Sequence, residues 1–202
     1  ILEAYGAEVV LTPAKEGTDG AILRAHKIFN DAPDKYYMPN QFENENNCLA
    51  HFETTGPEIW RQTGGEVDAF VAGLGTTGTV MGTGRFLKSR KPSVRVVAAE
   101  PTVGHRIQGL KNMVESMVPS IYKPAEMDVI EPVYDEEAFE TARKLAHFEG
   151  LFVGMSSGAA VAAAMKTAAD LGSGTVVVIL PDRGDRYLST NLFRSVCGEC
   201  PP

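Results

Sequence analysis

Residues 67–82 read VDAFVAGLGTTGTVMG, an apolar run broken only by Asp68, then a glycine-rich turn, then the start of a helical stretch. A run of Val, Phe and Ala without polar alternation marks a strand covered on both faces. Such strands belong to parallel sheets between layers of helix, and the turn that follows is where these folds bind ligands. This one feature narrows the chain to an α/β architecture and points to a site at residues 73–79.

The remaining pattern agrees with that architecture. Residues 8–12 predict a strand, and 18–30 a helix with Ala21, Ile22, Ala25, Ile28 and Phe29 on one face. KYYMP at 35–39 predicts a short strand, and 46–62 one long helix burying Leu49, Phe52, Ile59 and Trp60. Helices at 79–89 and 135–149 and strands at 67–72, 94–99, 128–134 and 175–180 follow in alternation. GMSSG at 154–158 leads into an alanine-rich helix over 158–171. Residues 101–127 hold Pro101, Gly104, Pro119 and Pro124 without a clear period and read as irregular.

With 202 residues, 44% apolar and 22% charged, the chain has the composition of a globular protein. A net charge of -7 argues against a nucleic-acid surface, which needs clustered Lys and Arg. No apolar stretch reaches the roughly 18 residues of a membrane helix. Three cysteines do not make a disulfide framework, and no signal peptide is recognisable, so the expected compartment is the cytoplasm. The chain opens in ILEAYGAEVVLT, inside a helical pattern without Met or cap, which reads as a fragment lacking its upstream part.

A strand-to-helix turn gathers backbone N–H groups and a positive helix end at one point, which suits a phosphate. No Lys follows Gly78, which excludes a Walker loop. The letters GLGTTG satisfy G-x-G-x-x-G, and Glu100 ends the next strand where a ribose-binding acid stands in dinucleotide sites. Thr76, Thr77 and Thr79, however, supply hydroxyls for the free oxygens of a monophosphate and obstruct the close approach that a pyrophosphate needs. The chemistry favours a monophosphate and leaves the dinucleotide open. A second turn with Ser156 and Ser157 ahead of a small-residue helix offers another grip, or simply a helix cap.

Taken together, GAEVVLTP, QFENENN, TTGPEIW, GLGTTGTVMGTGRFLK, VAAEP, EGLFVGMSSGAAVAAA and PDRGDRYLSTNLF resemble the cysteine synthase family, closest to its B branch, among the fold-type II pyridoxal-phosphate enzymes. The resemblance implies a three-layer α/β fold with a mostly parallel sheet, like tryptophan synthase β, its N-terminal part missing. It implies a small-domain remnant at 1–34, a large cofactor-binding domain with an incomplete sheet at 35–196, and a Cys/Pro tail at 197–202. An exposed sheet edge and apolar face are then expected, favouring association.

Carried over by position, Gly75, Thr76, Thr77, Gly78 and Thr79 correspond to the cup for the 5'-phosphate of pyridoxal phosphate. Ser156 corresponds to the hydroxyl on the pyridine nitrogen, and Gln41 to a residue near the substrate carboxylate. Lys111 stands where some relatives that prefer phosphoserine place a cation, although a solvated surface lysine is the expectation here. The implied reaction is ping-pong replacement of acetate or phosphate on acetylserine or phosphoserine by sulfide or another sulfur donor, giving cysteine, in a homodimer. The family's Schiff-base lysine and its Asn-Gly-Asn-Thr-Gly loop are absent from these residues, so the chain alone should be inactive. A short non-catalytic binding protein that reuses the cup, or a cystathionine β-synthase-type parent, are the alternatives.

Elsewhere the expectations are plain. Cys197 and Cys200 read as an unstructured tail or half of a metal or redox module. His26, His51, His105 and His147 show no metal spacing and read as surface or packing residues. Asp182, Arg183, Asp185 and Arg186 read as an ion-pair cluster, with Tyr187 near the cleft wall.

Overall fold

A computed structural model describes residues 1–193, so the Cys197 and Cys200 tail lies outside the described residues. The chain divides into two units, Ile1–Asn40 and Gln41–Pro202. The segment 35–39, which the sequence assigns to the larger domain, falls in the first.

The first unit is built on α1 (Gly17–Asp31) and short turns of 3-10 helix. The strands expected at 8–12 and 35–39 do not form. A strand needs a neighbour to take its alternate N–H and C=O groups, and this unit supplies none. Val10 and Leu11 stand 49% and 88% exposed.

In the second unit the helix expected over 46–62 is two, α2 (Asn46–Glu53) and α3 (Thr55–Gln62). Pro57 has no N–H for the Glu53 carbonyl and its ring crowds that oxygen, so the chain breaks at Thr54 (φ -121, ψ -68). The parallel sheet consists of β1 (Ala69–Gly73), β2 (Arg95–Pro101), β3 (Val129–Val133) and β4 (Val176–Val178), in the order β3-β2-β1-β4. Helices α4 (Gly78–Arg90), α5 (Asp135–Glu149) and α6 (Met155–Leu171) complete the alternation.

The central strands are covered on both faces, as their composition requires. Phe70, Ala72, Val96 and Ala98 belong to one core with Cys48, Val80, Met81 and Leu87 from α2 and α4. Val71, Val97 and Ala99 belong to another with Ala138, Ala142, Ala159 and Ala163 from α5 and α6. The second layer is thin because α5 and α6 run very close: a Cβ on Gly158 would come within 2.1 Å of the Ala138 carbonyl oxygen. Among the described residues β4 pairs only with β1, and its three valines stay half-buried, which leaves the expected sheet edge on that side.

Residues 101–127 are irregular but not loose. Lys111 N–H donates to the Leu74 carbonyl (2.7 Å), Met113 N–H to the Glu100 carboxylate (2.7 Å), and the Asn112 side chain to the Pro101 carbonyl (2.9 Å). The segment is sewn to the ends of β1 and β2, and Ile107 and Ile121 are fully buried.

Candidate cofactor cradle

Helix α4 begins where β1 ends, and its entry is strained. Its capping residue Thr77 has φ 75 and ψ -8, the left-handed region that a β-branched residue rarely enters. Such a conformation costs about 1–3 kcal/mol and persists only where the surroundings impose it. Thr77 is 2% exposed, and its hydroxyl finds no partner. An unpartnered buried hydroxyl costs about 1–3 kcal/mol more. Two penalties at one residue mark a place prepared for an acceptor.

The surroundings fit a small anion. The first N–H groups of α4 have no helical partner and point out of its N-terminus. Thr76 and Thr79 flank Thr77 at the mouth of a cleft of about 140 Å³, which Gly109 and Ser156 line from the other side. Gly75 and Gly78 keep the turn tight: a Cβ would lie 3.2 Å from the Gly109 carbonyl oxygen at Gly75 and 1.8 Å from the Asn47 side chain at Gly78.

Of the residues expected from the sequence, Gly75, Thr76, Thr77 and Thr79 line one cleft with Ser156, while Gly78 opens α4 behind them against Asn47. The α6 serines lie inside the helix rather than ahead of it. Gly154 is the cap (φ -79, ψ 176), and Ser156 and Ser157 occupy the first turn, 3% and 0% exposed. The Ser156 hydroxyl faces Gly109, where an added Cβ would come within 3.4 Å of it. Gln41 is exposed; its backbone carbonyl accepts a 2.8 Å hydrogen bond from the Asn47 side chain.

Lys111 corrects its expectation. It is 6% exposed instead of solvated, with its ammonium 5.3 Å from the centre of the Phe42 ring. The bond from its N–H to Leu74 draws the residue under the loop. Glu100 spends its carboxylate on the Met113 N–H, so it is not the free ribose-binding acid of a dinucleotide site. The Asp182 cluster also differs from expectation. Arg183 and Asp185 pair at 3.0 Å in the open, whereas the Asp182 carboxylate accepts from the Tyr187 hydroxyl. Burial, reinforced by Asp182, pushes the Tyr187 hydroxyl above its usual range.

Two residues behind the cup escaped the sequence reading. The Asn47 amide donates to Thr76 Oγ1 at 3.0 Å, and His51 Nε2 lies 3.1 Å from Thr79 Oγ1. Their signal was the spacing of four, which puts both on the face of α2 that meets α4. His51 is therefore more than a packing residue.

A doubly covered parallel sheet with a threonine cup at one helix start and a serine opposite it defines a class, and the chain belongs to it. The family model described as pyridoxal-phosphate dependent enzyme matches residues 1–182. Within that class the likeness is to cysteine synthases. Over 192 residues the chain is 41% identical to cysteine synthase B of Pseudomonas aeruginosa, covering 95% of this chain and 64% of that one. It is 43% identical to a cysteine synthase of Aquifex aeolicus, covering 96% and 61%. The crystal structure of cysteine synthase from Entamoeba histolytica superposes with a TM-score of 0.87 at 39% identity, covering 96% of this chain and 60% of that one. An O-acetylserine dependent cystathionine beta-synthase from Helicobacter pylori gives 0.87 at 40% identity, covering 95% and 65%. The chain thus spans less than two thirds of the length of these relatives.

Proposed function

We propose that this chain carries the phosphate-gripping part of a cysteine synthase, which exchanges the acetate of O-acetylserine, or the phosphate of O-phosphoserine, for sulfur. The observation that carries the reading is Thr77, a strained residue with a buried, unpartnered hydroxyl at the N-terminus of α4. Similarity to cysteine synthases over nearly the whole chain supports the reaction assignment.

In this reading Gly75, Thr76, Thr77, Gly78 and Thr79 hold the 5'-phosphate of pyridoxal phosphate through hydroxyls and helix N–H groups. When bound, the cofactor supplies an electron sink next to the carbon that loses its substituent. The Ser156 hydroxyl offers the pyridine nitrogen a hydrogen bond without surrendering its proton, which keeps that sink weak and suits elimination better than racemisation. Gln41 and Lys111 do not line the cleft, and their assignment to the substrate side rests on the resemblance alone. A homodimer and a cytoplasmic setting belong to the same proposal.

The Schiff-base lysine and the loop for the substrate carboxylate come from residues outside this chain. None of its nine lysines lines the cleft. The chain alone therefore binds the phosphate end of the cofactor without catalysing. Calorimetry with pyridoxine 5'-phosphate, which has no aldehyde, tests the cup: binding by the 202-residue chain that is lost on removing the phosphate is expected. Equal binding of pyridoxine and its phosphate sinks the cup. A borohydride-fixed pyridoxal adduct on one defined lysine, found by mass spectrometry, sinks the assignment of the lysine elsewhere.

A further inference from the structure

Cup hydroxyls serve a phosphate only if their protons point at it. A threonine hydroxyl has one proton and two lone pairs, so what stands behind it decides which of these faces the ligand. A partner that accepts from behind consumes the proton and turns lone pairs toward the anion. A partner that donates from behind leaves the proton free.

Behind Thr76 the partner donates. The two N–H groups of the Asn47 amide go to the Gln41 carbonyl (2.8 Å) and to Thr76 Oγ1 (3.0 Å). Behind Thr79 stands His51, one turn along α2, with Nε2 3.1 Å from Thr79 Oγ1. Its other nitrogen, Nδ1, lies 2.9 Å from Thr55 Oγ1, the first residue of α3. A neutral imidazole carries one donor and one acceptor, and the partner of one nitrogen fixes the role of the other. Thr55 stands on the far side of the ring from the cup, free to give its proton to Nδ1. The spacing of four puts Thr55 beside the ring, one turn on from His51.

We propose that His51 is a positioning residue: held by Thr55 as the Nε2–H tautomer, it donates to Thr79 Oγ1, so that Thr79, like Thr76 in front of Asn47, keeps its proton for a phosphate oxygen. The inference rests on the reading of residues 75–79 as a monophosphate cup. It adds that α2 is the polarising layer of that cup, passing a directed chain of protons from Thr55 through the ring to Thr79. Thr77 needs no such backing, since its hydroxyl already lacks a competitor.

The tautomer is read directly from long-range proton–nitrogen correlations of the imidazole in the 202-residue chain, well above the ordinary histidine value of 6.5. The Nε2–H pattern is expected, and an Nδ1–H pattern overturns the proposal whether or not any ligand binds. Pyridoxine 5'-phosphate titrations supply the second readout. His51→Gln, whose amide nitrogen reaches the place of Nε2, keeps affinity within about threefold, whereas His51→Phe, matched in bulk but without a donor, loses about tenfold, the worth of one hydrogen bond to a charged group. Bound-ligand phosphorus chemical shifts should follow the same order, which a purely structural role of the ring does not predict. Equal affinity in Phe and wild type, or Gln as weak as Phe in a folded protein, overturns the proposal. Failure of the wild type to bind overturns the cup itself and the proposal with it, and is told apart because no variant then enters the comparison.

Discussion

Helix α4 opens on Thr77 with φ 75 and ψ -8, and helix α6 on Gly154 with φ -79 and ψ 176. Both starts carry hydroxyls and free N–H groups, and Thr76, Thr77, Thr79 and Ser156 share one cleft. Behind α4 lies a polar layer, Asn47 and His51, with a residue under strain in front of it. Behind α6 lies alanine, with α5 so near that Gly158 has no room for a side chain. The Ser157 hydroxyl also lacks a partner, but Ser157 does not line the cleft. A helix start meant for a charge is recognised by what the fold spends to hold donors ready. One meant for a neutral contact is recognised by close, relaxed packing.

The contrast is broken most severely at Gly158. Gly158→Ala drives a methyl group into the Ala138 carbonyl, and backbone cannot step aside as a side chain can. Urea unfolding should show a loss of about 3 kcal/mol, the upper end for overpacking; a loss under about 1 kcal/mol means that α5 and α6 are less tightly joined than described.

Thr77 sharpens the contrast, because stability and binding should move in opposite directions. Thr77→Gly removes the strain and raises stability by about 1 kcal/mol. It also removes a donor, so affinity for pyridoxine 5'-phosphate should fall about tenfold. Calorimetry and unfolding on the same sample decide the point, and a change of like sign in both contradicts the idea of a prepared cup.

At Ser156 the expected effect on phosphate affinity is smaller. Ser156→Ala leaves it within about threefold, since the proposed reading gives the serine to the ring nitrogen rather than the phosphate. A larger loss in titrations would place both helix starts on the same charge.

The smallest effect comes from acid. Burial holds the His51 pKa below its ordinary 6.5. The unfolded chain therefore takes up this proton first as pH falls, so this contribution to stability is present above 6.5 and lost on the way down to the folded-state pKa. Urea midpoints should drop as pH falls below 6.5, and His51→Gln should remove part of that drop. Superimposable pH curves for the two proteins would show that the ring is not held neutral by its surroundings.

The β1 and β2 strands, the acid-rich start of α5 and the glycine turn were readable because each depends on neighbours a few residues away. The break at Thr54 was readable in principle, since Pro57 announces it, but the apolar spacing of Leu49, Phe52, Ile59 and Trp60 continues across it and hides the interruption. The missing strand at 8–12 illustrates the opposite error. Val9, Val10 and Leu11 have the right preference, and no local rule reveals that a pairing partner is wanting. Lys111 and His51 depend on a loop folding back and on one helix crossing another, contacts that leave no period in the chain. The cup itself was legible as letters, but its strain and its orphan hydroxyl exist only in three dimensions.

The three bonds that sew residues 101–127 to β1 and β2 have a bearing on motion. Lys111 ties to Leu74 inside the glycine turn, and Met113 to the acid near the end of β2. A flap hinged on free ends opens without disturbing its frame. This segment does not have that freedom, because lifting it strips hydrogen bonds from the strand ends that carry the cup. Its amides should open to solvent together with those of Leu74 and Ala99, as one cooperative unit with the sheet. The far wall of the cleft, Gly109 included, thus moves with the cup, and the space between them behaves as a fixed mould.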